Sequence, residues 1–198
     1  MIKRYNNKIL VCGIDEAGRG ALSGPVTVSA VILPKEYYNP EIKDSKKLSS
    51  KKRIELFHVI KKIALDYVIF DVNNHKIDDL NILKATYYGM NKSIENLKIK
   101  SNIYLVDGNK FQPKMKINYK CIIGGDNIFQ SIAAASILAK VHRDNYMKKI
   151  DKIYPQFDWK NNKGYGTRIH IDKINQYGLC PFHRNSFKIK SKQLSIKI

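Results

Sequence analysis

The chain has 198 residues, and its 36 lysines and arginines against 17 acids leave a formal net charge of +19. At 43% hydrophobic and 27% charged it is too apolar for a disordered chain. No stretch approaches the roughly 18 apolar residues of a membrane-spanning helix, which excludes an integral membrane protein of the helical kind.

Taken in chain order, Ile9 to Asp15 and Val26 to Leu33 read as strands from their β-branched content and bounding turn residues. Ser50 to Leu65 then puts Ile54, Phe57, Ile60 and Ala64 on one helical stripe. Tyr67 to Val72 predicts a third strand. Ile77 to Leu97 carries Leu80, Leu83, Tyr87, Met90 and Ile94 at helical spacing. Ile103 to Asp107 and Lys120 to Ile123 complete five strands, and Asn127 to Ile150 predicts the longest helix, whose Ala133-Ala-Ala-Ser136 run suits close packing on a sheet. After Tyr154-Pro155 the pattern weakens, leaving one short helix from Arg168 to Tyr177 and a basic tail. This order implies an α/β domain around a five-stranded mixed sheet flanked by helices. The expected boundary separates a catalytic domain, 1–152, from a small, mostly helical C-terminal extension, 153–198.

The basic excess points to a polyanionic partner, with a discount. Six of the 36 basic residues are arginine, so 30 are lysine. Abundant Ile, Asn and Tyr beside them suggest the compositional drift of an A+T-rich genome, which makes the rare arginines and glycines the better pointers. Cys12, Cys121 and Cys180 are odd in number and far apart, which suits reduced thiols in a cytoplasm. The first two are expected as inert core thiols. Cys180-Pro-Phe-His183 has half of a zinc ligand set with no second half nearby, and His142 and His170 read as surface or supporting residues.

Gly13-Ile-Asp15-Glu16-Ala-Gly18-Arg19-Gly20 closes the first strand. Adjacent side chains on a strand point to opposite faces, so Asp15 and Glu16 converge only if the strand ends there and the chain turns. Two hard carboxylates at such a turn suit Mg²⁺, and a solvated acidic turn is the bland alternative. Ile103-Tyr-Leu-Val-Asp107-Gly108 also ends in an acid, and Gly124-Gly125-Asp126 leads from the fifth strand into the long helix. Asp126 is either that helix's N-cap or a fourth acid; Asn127-Ile-Phe-Gln130 imitates a capping box that would free it. Four acids around one point raise one another's pKa values, and a pair of divalent cations relieves the repulsion.

These residues, with Asp44-Ser45-Lys46, Asn81-Ile-Leu83, Ile132 to Lys140 with Arg143-Asp144, Gly164-Tyr165-Gly166-Thr167 and Cys180-Pro-Phe-His-Arg184, resemble the bacterial ribonuclease HII family from about residue 9 to residue 187. The resemblance implies a ribonuclease H-like fold and a hydrolase acting on RNA-DNA hybrids and on single ribonucleotides in duplex DNA, and so a role in ribonucleotide removal. It implies Asp15, Glu16, Asp107 and Asp126 as catalytic acids holding two Mg²⁺ or Mn²⁺ ions. Gly18, Arg19 and Gly20 would meet the 2′-hydroxyl, and Tyr165 would stack on the adjoining sugar. Ser45 and Lys46 would hold a phosphate, with Arg143, Arg168 and Arg184 as outer substrate contacts. Gly124 stands where the family often has lysine. Lys192-Gln-Leu-Ser-Ile-Lys-Ile198 is similar to peptides that dock in a bacterial sliding clamp. A monomer in the cytoplasm with no membrane partner is expected. The rival readings are a noncatalytic nucleic-acid binder on the same fold and a general nuclease.

Overall fold

The computed structural model describes residues 2–188. The strands are β1 (Val11–Ala17), β2 (Val26–Ile32), β3 (Asp66–Val72), β4 (Ile103–Asp107) and β5 (Tyr119–Ile122). They form one mixed sheet in the order β3-β2-β1-β4-β5. β1 runs parallel to β4 and β4 to β5, while β2 is antiparallel to both β1 and β3. The helices are α1 (Ser50–Ile63), α2 (Asn74–Leu80), α3 (Ile82–Glu95), α4 (Gln130–Asp151), α5 (Trp159–Asn162) and α6 (Arg168–Tyr177). Among the described residues no helix is long and apolar enough to cross a membrane.

Helices cover both faces of the sheet, so the interior strand β2 is buried along its whole length. Its alternate residues Val28, Ala30 and Ile32 join Cys12, Ile14 and Val106 against Met90 and Ile94 of α3. Val31 faces the other way, toward Ala133, Ala134, Ile137 and Leu138 of α4 and Leu56 and Ile60 of α1. Each fully buried aliphatic side chain in these layers stabilises the fold by about 1.5–3 kcal/mol. The α4 backbone lies directly on β1: a Cβ at Gly13 would stand 2.1 Å from the Ser131 carbonyl carbon. The alanine-rich first half of α4 permits this approach.

Three expectations need correction. The segment expected as one helix, 77–97, is two, because Asn81 takes a left-handed backbone (φ 66°) and its side-chain oxygen accepts from the amides of Leu83 and Lys84. The first strand does not end at Asp15: its ladder with β2 continues through Asp15, Glu16 and Ala17, although its ladder with β4 stops at Ile14. The capping box at Asn127 and Gln130 does not form. α4 starts later, after a 3₁₀ turn at Gly125–Asn127, and the Gln130 carbonyl oxygen is taken by the Asn39 amide.

The C-terminal segment packs on the far end of α4, where Phe157, Trp159 and Ile174 bury Met147 and Ile150. It is also stitched to the loop after β1. Leu22 donates its amide to the Gly164 carbonyl at 2.7 Å, Gly24 to Phe182 at 2.8 Å, and Arg184 to Leu22 at 2.9 Å. Residues 21–24 thus run between two stretches of the C-terminal segment, with bridges pairing Ala21 with Tyr165 and Ser23 with His183. The tail expected to resemble a clamp-docking peptide, 192–198, lies outside the described residues.

Candidate active site

β1, β4 and β5 are adjacent and parallel, so their C-terminal ends open on the same edge of the sheet. Leu105 packs on Ile132 of α4, and strand alternation therefore places Asp107 on the α4 face too. Asp15 reaches the same face two residues beyond Gly13, close to Ser136 of α4. Asp107 Oδ1 accepts the Gly125 amide at 2.7 Å, which ties the end of β4 to the turn carrying Asp126. Glu16, two residues past the last β4 pair on β1, borders the same opening. Asp15 and Glu16 line a cleft of about 290 Å³ together with Gly18, Lys46, Lys140 and Tyr165.

The acids are buried and close enough to disfavour one another's charge. Burial, then Glu16 and Asp107, hold the Asp15 carboxyl well above the usual carboxylate range, against the pull of Ser136 and the Glu16 amide. Burial also raises Glu16 and outweighs the Arg19 guanidinium 3.2 Å away. Asp126 is raised by burial and by Asp44 and Asp107, against the pull of Lys46, 4.0 Å off. Partial burial works against the Lys46 charge, but Asp126 and the neighbouring acids prevail and raise its pKa.

One lone pair in this cluster stands out. Glu16 Oε2 is buried and has no hydrogen-bond partner, an arrangement that suits a carboxylate waiting for a cation. Among the described residues no three His, Cys, Asp or Glu side chains already form a ready-made metal site. Mg²⁺ characteristically keeps several waters and takes substrate phosphate oxygens alongside one or two carboxylates, and the open cleft fits that mode. Asp44 was not expected here. It is buried, caps the 3₁₀ turn at Ser45–Lys47 through the Lys46 amide, and adds a fifth carboxylate beside Asp126. Its place directly before Ser45-Lys46 was the available signal.

The glycine pair differs internally. Gly18 has φ +92° and the Arg143 side chain lies where its Cβ would stand, so the protein itself demands glycine there. A Cβ at Gly20 would meet nothing within 4 Å. The protein's own packing does not require that glycine. Tyr165 is 36% exposed at the cleft, with the Arg143 guanidinium 5.4 Å and the Lys140 ammonium 6.0 Å from its ring centre.

Several expected substrate contacts face inward instead. Arg143 is fully buried and donates to the carbonyls of Pro25, Lys163 and Ser23. Arg184, 2% exposed, donates to those of Gly24, Arg19 and Gly18. Neither guanidinium is free for phosphate; Arg184 holds the Gly18-Arg19-Gly20 loop from beneath, and Arg143 ties the following residues Ser23 and Pro25 to Lys163. The Ser45 hydroxyl is likewise turned in to Ser136 at 3.0 Å. Lys46 keeps its side chain 83% exposed. Arg168 is solvated on α6, 3.9 Å from Asp172, and does not line the cleft. Gly124, where the family often has lysine, is left-handed at φ +64°, a conformation that disfavours a side chain.

The family model described as Ribonuclease HII matches residues 12–190. The chain belongs to the ribonuclease HII family. A ribonuclease HII of Christiangramia forsetii is 47% identical over 196 residues, covering 99% of both chains. Among solved structures, the ribonuclease H2 of Pyrococcus horikoshii superposes with a TM-score of 0.78 at 25% identity, over 90% of this chain and 94% of that one. A ribonuclease HII solved in complex with PCNA, from Archaeoglobus fulgidus, gives 0.77 at 25% identity, over 93% and 98%. Membership makes the chain a ribonuclease H, an endonuclease that hydrolyses phosphodiester bonds. The five-stranded mixed sheet flanked by helices is the ribonuclease H-like fold.

Proposed function

We propose that the chain cuts the RNA strand of RNA-DNA hybrids and nicks 5′ to single ribonucleotides in duplex DNA, leaving 5′-phosphate and 3′-hydroxyl ends. The supporting observation is a cleft lined by Asp15 and Glu16 together with Gly18, Gly20 and Tyr165, with Asp107 at the end of the neighbouring parallel strand and the turn carrying Asp126 tied to it. Asp15, Glu16, Asp107 and Asp126 are the acids at the reacting phosphate. Two Mg²⁺ or Mn²⁺ ions on these carboxylates would supply phosphate neutralisation and an acidified water. Without them burial and the neighbouring acids disfavour the charged forms of Asp15, Glu16 and Asp126.

The chain's own groups do the selecting. The Gly18-Arg19-Gly20 backbone meets the 2′-hydroxyl, and the open space at Gly20 is where a sugar approaches. Tyr165 lays its ring on the adjoining deoxyribose, and the exposed Lys46 ammonium meets a backbone phosphate. Residues 1–152 provide the acids, while the extension beyond them positions Tyr165 and Arg184. The working unit is a cytoplasmic monomer, and a clamp contact through 192–198 is tested by titrating that peptide with a sliding clamp.

The deciding assay is cleavage of a labelled duplex with one embedded ribonucleotide, beside an all-DNA control, with and without divalent metal. A metal-dependent cut 5′ to the ribonucleotide alone is expected. Binding without any cut would instead favour a noncatalytic binder, and cutting of both duplexes a general nuclease.

A further inference from the structure

Beneath Tyr165 lies a buried polar chain that the proposed chemistry does not use. His170 at the start of α6, His183, Trp159 and Ser23 are all at most 1% exposed and sit among the rings of Phe157, Tyr154 and Phe182. His170 Nδ1 lies 3.0 Å from the Tyr165 carbonyl. A carbonyl only accepts, so Nδ1 carries the proton. Its Nε2 is then a bare lone pair, and it receives the Trp159 indole N–H at 3.0 Å, a group that only donates.

The second ring confirms the assignment from the other side. His183 Nδ1 accepts the Cys180 amide at 2.9 Å, so its proton is on Nε2, which lies 3.2 Å from His170 Nε2 and points its N–H there. The Ser23 hydroxyl stands 3.4 Å from the same atom. Both rings are therefore neutral, each in one tautomer dictated by partners that cannot reverse their roles. Burial depresses both imidazoles in the same sense.

An apolar pair would fill this aromatic layer without placing polar atoms in it. What the histidines add is a directed N–H at one point, the carbonyl of Tyr165. That residue is flanked by Gly164 and Gly166, and its backbone is otherwise held by main-chain groups alone, its amide donating to the Asn162 carbonyl at 3.0 Å and its carbonyl taking the Thr167 amide at 2.8 Å, so the His170 N–H is the side-chain tie that adds a fixed direction to this carbonyl. We infer that His170 is a positioning residue for Tyr165, with Trp159 and His183 fixing the tautomer it needs, so that discrimination of the ribonucleotide junction is set from inside the C-terminal segment. The inference rests on the reading that Tyr165 contacts substrate at the junction.

The test compares kcat/KM on a single-ribonucleotide duplex and on a continuous hybrid for the full chain and for Tyr165→Ala, His170→Phe, His170→Asn and Trp159→Phe. His170→Phe is expected to lose about tenfold more on the junction than on the hybrid, the scale of one buried hydrogen bond. His170→Asn, which keeps a donor near the Nδ1 position, is expected to recover most of that difference, and Trp159→Phe to show a smaller loss in the same direction. Equal losses on both substrates in His170→Phe, with Tyr165→Ala still selective, would overturn the inference alone. A nonselective Tyr165→Ala would remove the reading beneath it. Should His170→Phe fail to fold, Trp159→Phe and ¹⁵N imidazole shifts of the unmodified enzyme decide. A neutral His170 protonated at Nδ1 at pH 7 supports the inference; the Nε2–H tautomer or a charged ring contradicts it.

Discussion

The acidic edge and the reading loops border one cleft and treat polar groups in opposite ways. At the edge, Glu16 Oε2 is buried without a partner, and Asp15, Glu16 and Asp126 are all raised by burial and mutual repulsion. Under the loops, Arg143, Arg184, His170 and His183 are more deeply buried, yet each is held by main-chain or ring partners. The difference separates two jobs. Groups that must gain a ligand are left unsatisfied, and groups that must hold a shape are satisfied in advance.

Breaking the first half of this contrast should have the largest effect. Asp107→Asn keeps an acceptor for the Gly125 amide but removes the charge, and kcat should fall by roughly 10³-fold, the scale of a lost electrostatic contributor. Hybrid affinity, read by fluorescence anisotropy, should stay within a few-fold. A variant with near-normal turnover would remove Asp107 from the acid set.

Breaking the second half should cost stability. Arg184→Met leaves three carbonyls of the loop region without their donor, and on the order of 4 kcal/mol should be lost in urea unfolding. Arg184→Lys should recover little, since an ammonium cannot reproduce the guanidinium fork. Recovery by lysine would show that charge alone matters there.

The histidines predict a pH signature. His183 is held down to about 4 in the folded chain, chiefly by burial and secondarily by His170, against 6.5 for an ordinary histidine. The unfolded chain therefore takes up the proton first as pH falls. The neutral ring's contribution is complete above 6.5 and is lost between there and about 4, up to roughly 3 kcal/mol. His183→Asn should flatten that limb of a Tm-against-pH curve, and an unchanged limb would place the acid sensitivity elsewhere.

The smallest effect should come from the glycines, and it sharpens the comparison most. Gly20→Ala should leave unfolding within about 0.5 kcal/mol of the parent, as for an unobstructed surface position, while lowering junction cleavage about tenfold. Gly18→Ala should destabilise, because Arg143 occupies its space. Equal stability losses in the two would mean that Gly20 serves the fold after all.

The edge was the more legible half in the sequence. Asp107 announces itself as an acid at a strand end followed by glycine, and Asp15-Glu16 as adjoining acids in the last residues of β1 before a glycine-rich turn. The loops were misread for a physical reason. Arginine and histidine are usually solvated, so Arg143, Arg184 and His170 looked like surface groups, and nothing local signals a guanidinium committed to carbonyls 118 to 166 residues away. The break at Asn81 was hidden differently: hydrophobic spacing runs smoothly across it, and only the side-chain cap reveals two helices.

The threading of residues 21–24 between Gly164-Tyr165 and Phe182-Arg184 has a consequence for biosynthesis. The ribosome delivers every acid of the proposed site by residue 126 and the helix that braces them by residue 151. The clasp on the Gly18-Arg19-Gly20 loop is completed only by Arg184, well after both. A nascent or prematurely terminated chain therefore holds all four of these acids before that loop has been fastened, so on the proposed reading the capacity to cut is assembled before the capacity to choose.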